Sequence, residues 1–213
     1  MPRPPSPLIA QLAKGLEPVS PLRTKQGLRW LTLAMAATIA AVALAMGLWS
    51  GPLLGEASSM FFVANALIGL VGLVAALGVI RMAGPRVGAR QDSARWLMVA
   101  LAILPATAVL VVLLNGHPLG HDYAVHGLEC FLAGTASGAG VAAALIAWLR
   151  RGAPVALNSA GFYTGVAAGA LGSFAYGLSC PIDTIAHLGI WHVAPVAIWA
   201  ALGRLLVPRW IRW

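Results

Sequence analysis

The segment 29–49, RWLTLAMAATIAAVALAMGLW, opens on one arginine and then runs about 20 residues without another charge. A helix of that length, rising about 1.5 Å per residue, spans the roughly 30 Å of a bilayer's hydrocarbon core. Five more segments read the same way, at 60–80, 96–115, 127–149, 154–178 and 184–206. The sequence therefore predicts an all-α integral membrane protein, a bundle of six transmembrane helices. Ala41-Val42-Ala43 resembles a small-residue cleavage site, but the lead before the first segment is long for a signal peptide and five spans follow. The first span is read as uncleaved.

The basic residues give the bundle a direction. Arg3, Lys14, Arg23, Lys25 and Arg29 precede the first span. Arg81, Arg86, Arg90 and Arg95 lie between the second and third, Arg150 and Arg151 between the fourth and fifth, and Arg204, Arg209 and Arg212 at the end. The other connections, 50–59, 116–126 and 179–183, contain no Lys or Arg. By the positive-inside rule the basic face is cytoplasmic, so both termini are expected inside a bacterial inner membrane. Glu56, Asp122, Glu129 and Asp183 fall on or just within the outer face.

The composition agrees with a membrane protein: 60 % hydrophobic and 9 % charged residues, where a soluble domain has roughly a quarter charged. The net charge of +8 is spread over short stretches beside the spans rather than gathered on an element that reads a groove, so direct nucleic-acid binding is not expected. Orientation and attraction to anionic membrane lipid account for it. Residues 1–28 read as a cytoplasmic segment and 29–213 as the membrane domain, with no soluble domain. Chemistry must then occur inside the bundle, or the protein must act by contact.

Small residues mark where helices approach closely. Gly134 and Gly138 form one small-xxx-small pair, and Gly161, Gly165 and Gly169 a longer stripe. Such stripes serve packing within one chain or pairing of two chains; oligomeric state stays open.

Both cysteines and all five histidines cluster toward the outer face. His126, Glu129 and Cys130 are spaced i, i+3 and i+4, one helical face. Cys180 stands in the last outer connection, with Asp183 and His187 following at i, i+4. Thiolate, imidazole and carboxylate together can hold a soft metal ion transiently, and can equally tune thiol reactivity. On the oxidising side the two thiols could also pair as a disulfide. His117 and His121 read as solvated loop residues.

Enzymatic readings lack their residues. There is no CxxC pair for a membrane thiol oxidoreductase and no Gly-x-Ser-x-Gly frame around Ser173, so no catalytic activity is expected. A transporter would need charged or thiol groups midway along its spans. A small redox or haem-binding membrane protein, with His126 and His187 as a candidate ligand pair, is the alternative.

On the cytoplasmic lead, Leu8, Ile9, Leu12 and Leu16 make an apolar stripe on a short amphipathic helix that Pro18 and Pro21 end. The stripe needs a surface to bury against, either the membrane interface or a groove on a partner.

Residues 8–13 (LIAQLA) and 18–23 (PVSPLR), together with 176–181 (YGLSCP), Trp191 and 208–213 (PRWIRW), resemble the NrsF-type proteins. These are six-span negative regulators of extracytoplasmic-function sigma factors. The chain departs from that pattern at Ile182, where an acid would directly follow Cys-Pro, and at His192, where a tyrosine would follow the tryptophan. The resemblance implies a membrane anti-sigma factor that binds an extracytoplasmic-function sigma factor and answers an outer heavy-metal or redox stimulus through Cys130 and Cys180. Both the sigma factor's DNA-binding surfaces and this face of the protein are basic, so affinity is expected to come from apolar burial by Leu8, Leu12 and Leu16.

Overall fold

The structure, a computed structural model, describes residues 7–14, 22–85, 92–115 and 121–212. Every regular element among them is helical. In chain order they are α1 (Pro7–Ala13), α2 (Thr24–Met46), α3 (Gly51–Leu54), α4 (Ser59–Met82), α5 (Asp92–Asn115), α6 (His121–Leu149), α7 (Leu157–Gly177) and α8 (Ile185–His187). A π turn, Leu188–His192, then leads into α9 (Ala194–Ile211). Each of the six apolar segments falls on helical structure, with ends within a few residues of those expected.

Among the described residues, four stretches are long and apolar enough to cross a membrane: Thr24–Met46, Ser59–Met82, Ala124–Leu149 and Ile185–Ile211. In α7, glycines at 161, 165, 169, 172 and 177 and polar Asn158, Thr164 and Ser173 dilute the hydropathy. Its position explains this. α7 is the central helix, packed against α9, α6 and α4 and buried along almost its whole length. A helix surrounded by protein needs closeness rather than greasiness.

Glycine supplies that closeness. A methyl group on Gly169 would come within 2.6 Å of the Pro195 carbonyl oxygen and the Val196 Cα, and one on Gly203 within 2.8 Å of Gly165 Cα. On the facing side, Gly172 would meet Gly138 Cα at 2.5 Å, and Gly138 would meet the Ala168 carbonyl at 2.7 Å. Both small-residue stripes are thus consumed within one chain, α7 on α9 and α7 on α6. These are backbone-to-backbone crossings, the arrangement small residues permit where lipid offers no hydrophobic drive.

The end of the bundle that carries the arginines is closed by tryptophan. Trp148 is 1 % exposed, and its indole N–H donates to the Ile80 carbonyl at 3.1 Å, which satisfies the one polar atom of a large buried ring. Gly27 of α2 faces the same indole and Ile80, while Arg151 lies 5.3 Å over the ring of Trp30.

The opposite end is stitched through its connections. The Trp49 amide donates to the Leu178 carbonyl at 3.0 Å. The Ser58 amide donates to an Asp183 carboxylate oxygen at 2.7 Å, and the Ser58 hydroxyl donates back to the Asp183 carbonyl at 3.3 Å. The segment after α2 and the segment after α7 are therefore tied together.

Candidate functional site

Cys130 faces inward from the early turns of α6, 6 % exposed. Cys180 arrives from the other side, in the turn that leaves α7, where the Ser179 amide donates to the Tyr176 carbonyl at 2.8 Å. The two sulfurs lie 3.7 Å apart and are not bonded to each other. The Tyr176 hydroxyl, one turn back along α7, donates to the Cys130 sulfur at 3.4 Å.

Two histidines complete the cluster. Thr184 caps α8, its hydroxyl oxygen accepting from the His187 amide at 3.4 Å, and His187 Nε2 sits 3.5 Å from the Cys180 sulfur. His192 follows five residues later. In an α-helix that spacing would turn its side chain about 140° away from His187. The intervening π turn closes i to i+5 and returns it to the same side, so the imidazoles meet with centroids 5.4 Å apart. Pro195 explains why the ladder opens here: it has no N–H to give the Trp191 carbonyl. Gly189 permits the opened turn to lie on α5, since a methyl there would come 2.8 Å from Ala108 Cβ.

One donor atom from each of Cys130, Cys180, His187 and His192 lies within 4.8 Å of the other three. All four residues are buried. Val42, Tyr176, Ile182 and Trp191 surround them with apolar surface. Gly127 makes room for the Trp191 indole, and the Tyr176 ring stacks on His192 at 5.8 Å. Neither ring nitrogen of His192 has a hydrogen-bond partner among the described residues. This donor set suits a metal ion of intermediate softness.

The other candidates are placed differently. His126 and Glu129 are exposed and outside the four-residue group. Gly127, Cys130, Gly134, Gly138 and Val141 form the buried stripe of α6. Cys130 is at its edge, so His126 and Glu129 fall about 40° and 100° further round, away from the core. Asp183 is held by Ser58, and that backbone amide, with the Ser58 hydroxyl, keeps its carboxyl below the usual aspartate range. It serves the stitch between connections rather than the thiols. His117 and Leu16, like the side chain of His121, lie outside the described residues. Leu8, Ile9 and Leu12 of α1 are 65 %, 58 % and 66 % exposed.

His192 is the residue that periodicity overlooked. Its i+5 spacing from His187 signals nothing on a helical wheel; Pro195 three residues on was the readable cue.

Fold and site together define a class: an all-helical bundle with apolar helices of membrane-crossing length and, among the described residues, a buried group of two thiols and two imidazoles. The family whose model matches is NrsF, negative regulator of sigma F, over residues 12–213. The chain belongs to that family, and with it to the negative regulators of sigma factors. No curated protein and no solved structure matches the chain.

Proposed function

We propose that this protein is a membrane-bound anti-sigma factor that holds an extracytoplasmic-function sigma factor at the inner membrane and releases it when an outer heavy-metal or redox stimulus reaches Cys130 and Cys180. The family match over residues 12–213 carries this reading. Six spans with both termini cytoplasmic fit the placement of every Lys and Arg toward one face, at the termini and in or beside alternate connections, with α5 and α7 as the remaining two crossings. No catalysis is required, since the protein acts by capture.

The cluster suits the sensing half. Cys130 belongs to α6 and Cys180 to the turn after α7, so any bond between their sulfurs ties α6 to the end of α7. α7 packs along α6 and α9, which gives a change at the thiols a continuous packed path to the arginine-bearing end. A stimulus shifts the equilibrium only by the difference in its affinity for the two arrangements of these helices.

The partner is tested by purifying the full chain from native membranes in mild detergent and identifying what accompanies it. An extracytoplasmic-function sigma factor should co-purify, and Cys130→Ser or Cys180→Ser should alter its target-gene response to cadmium or an oxidant with the protein still in the membrane. Purification without any sigma factor, or a response indifferent to both substitutions, counts against the reading. Topology has its own check. Alkaline phosphatase fused after Gly120 should be active and after Gly88 silent; the reverse pattern would put both thiols on the cytoplasmic side.

A further inference from the structure

The geometry points to a four-ligand metal site: we infer that Cys130, Cys180, His187 and His192 together bind one divalent ion of the zinc and cadmium class, with His192 as an obligatory ligand. This names the ligand class of the thiol cluster used above as the sensor, and its regulatory meaning rests on that reading.

The two closest separations in the group match the edges of a tetrahedron. Zinc–sulfur bonds of about 2.3 Å and zinc–nitrogen bonds of about 2.0–2.1 Å put two sulfurs about 3.75 Å apart and a sulfur and a nitrogen about 3.5 Å apart at tetrahedral angles. The observed separations are 3.7 Å for Cys130 and Cys180 and 3.5 Å for Cys180 and His187 Nε2. A disulfide would instead need about 2.05 Å. Cys130, Cys180 and His187 are therefore already near their bound positions, and a His192 ring nitrogen lies within 4.8 Å of all three donor atoms, so closing the site needs only a small shift of that ring.

Charge also selects the ion. A divalent cation with two thiolates and two neutral imidazoles has no net charge, the one condition under which such a group sits cheaply inside an apolar bundle. Binding releases two thiol protons to water and forms two metal–sulfur and two metal–nitrogen bonds; no electron moves. A monovalent soft ion would leave the site negative, and a hard cation would lack its preferred oxygen ligands.

The surroundings favour the same assignment. His192 is 1 % exposed and both of its ring nitrogens lack hydrogen-bond partners among the described residues, an unusual state for a buried imidazole that a metal bond would relieve at one of the two nitrogens. The Tyr176 hydroxyl on the Cys130 sulfur is the kind of outer donor that orients a ligating thiolate.

The test uses the full chain in lipid nanodiscs, stripped with chelator under reducing conditions and titrated with Co²⁺. One ion per chain should bind, with the visible bands of tetrahedral cobalt and a near-ultraviolet thiolate charge-transfer band, both erased by Zn²⁺ or Cd²⁺. Losing an outer-shell partner already costs about 10- to 100-fold in affinity, so His192→Ala should weaken binding by at least that much and shift the visible bands. His192→Cys should restore tight binding with a stronger charge-transfer band, and His126→Gln should change nothing. Absence of the charge-transfer band at saturating cobalt would overturn the site, as would a His192→Ala protein that matches the original in spectrum and affinity. Sigma-factor capture, scored on the same preparations, separates the two readings. Capture by the metal-free protein with no cobalt binding rejects the metal site alone, whereas cobalt binding by a protein whose metal-free form captures no sigma factor upholds the site and rejects the anti-sigma function.

Discussion

Gly165→Ala should destabilise this protein by about 1–3 kcal/mol, the cost of overpacking a filled interior, although alanine is the better helix former by roughly 1 kcal/mol. The added methyl would land on the Trp199 carbonyl of α9 and within 2.9 Å of Ala200 Cα. Backbone cannot rotate aside as a side-chain tip can, so α7 and α9 must separate, and the contacts of Gly161 with Gly203 and of Gly169 with Pro195 loosen with them. At roughly 2–4 °C per kcal/mol for a chain of this size, the melting midpoint in detergent should fall by about 2–12 °C. Gly140→Ala is the matched control. Its methyl would meet only the Thr38 hydroxyl, at 3.3 Å, so it should leave the midpoint unchanged or raise it. Equal midpoints for Gly165→Ala and the unaltered protein would show that α7 and α9 do not cross this closely.

That prediction was half legible in the sequence. The spacing of Gly161, Gly165 and Gly169 announces a close crossing, but not whether the partner is another helix of this chain or a second copy; only the position of α9 decides it. Helix locations were legible for a plain reason, since about 20 uncharged residues have few other fates. Local irregularity was not. The sixth segment reads as one unbroken helix, whereas it is α8, a π turn and α9, because the missing donor at Pro195 outweighs an otherwise helical pattern.

The site shows the same division. Cys130, Cys180 and His187 could be picked out by residue type and by depth along their segments. His126 and Glu129 share a helical face with Cys130 on paper, yet a helix buries only a stripe, and its width and centre depend on neighbours the sequence does not specify. His192 registered only as a departure from the NrsF pattern, and the structure gives that departure a place among the thiols.

The second large effect concerns capture. Changing both Leu8 and Leu12 to Asp should abolish co-purification of the sigma factor and leave the protein in the membrane. Leu8 and Leu12 lie one helical turn apart on α1 and are 65 % and 66 % exposed, so they offer apolar area that nothing described in this chain covers. Burying a leucine stabilises by about 1.5–3 kcal/mol, and losing two therefore costs about 3–6 kcal/mol. With about 1.4 kcal/mol per decade, affinity should fall by roughly a hundredfold to ten-thousandfold before the cost of two desolvated carboxylates is added. Target genes of the sigma factor should then be expressed without any stimulus. The outcome also separates the two surfaces that could cover the stripe. If α1 lies against the bilayer, the acidic pair frees it from lipid while the sigma factor stays bound, and the capture surface moves to the basic connection 81–95. If α1 enters a groove on the sigma factor, capture fails even though every membrane helix is untouched. Leu8→Met with Leu12→Met keeps the apolar area and should keep the partner, which ties the loss to burial rather than to the shape of α1.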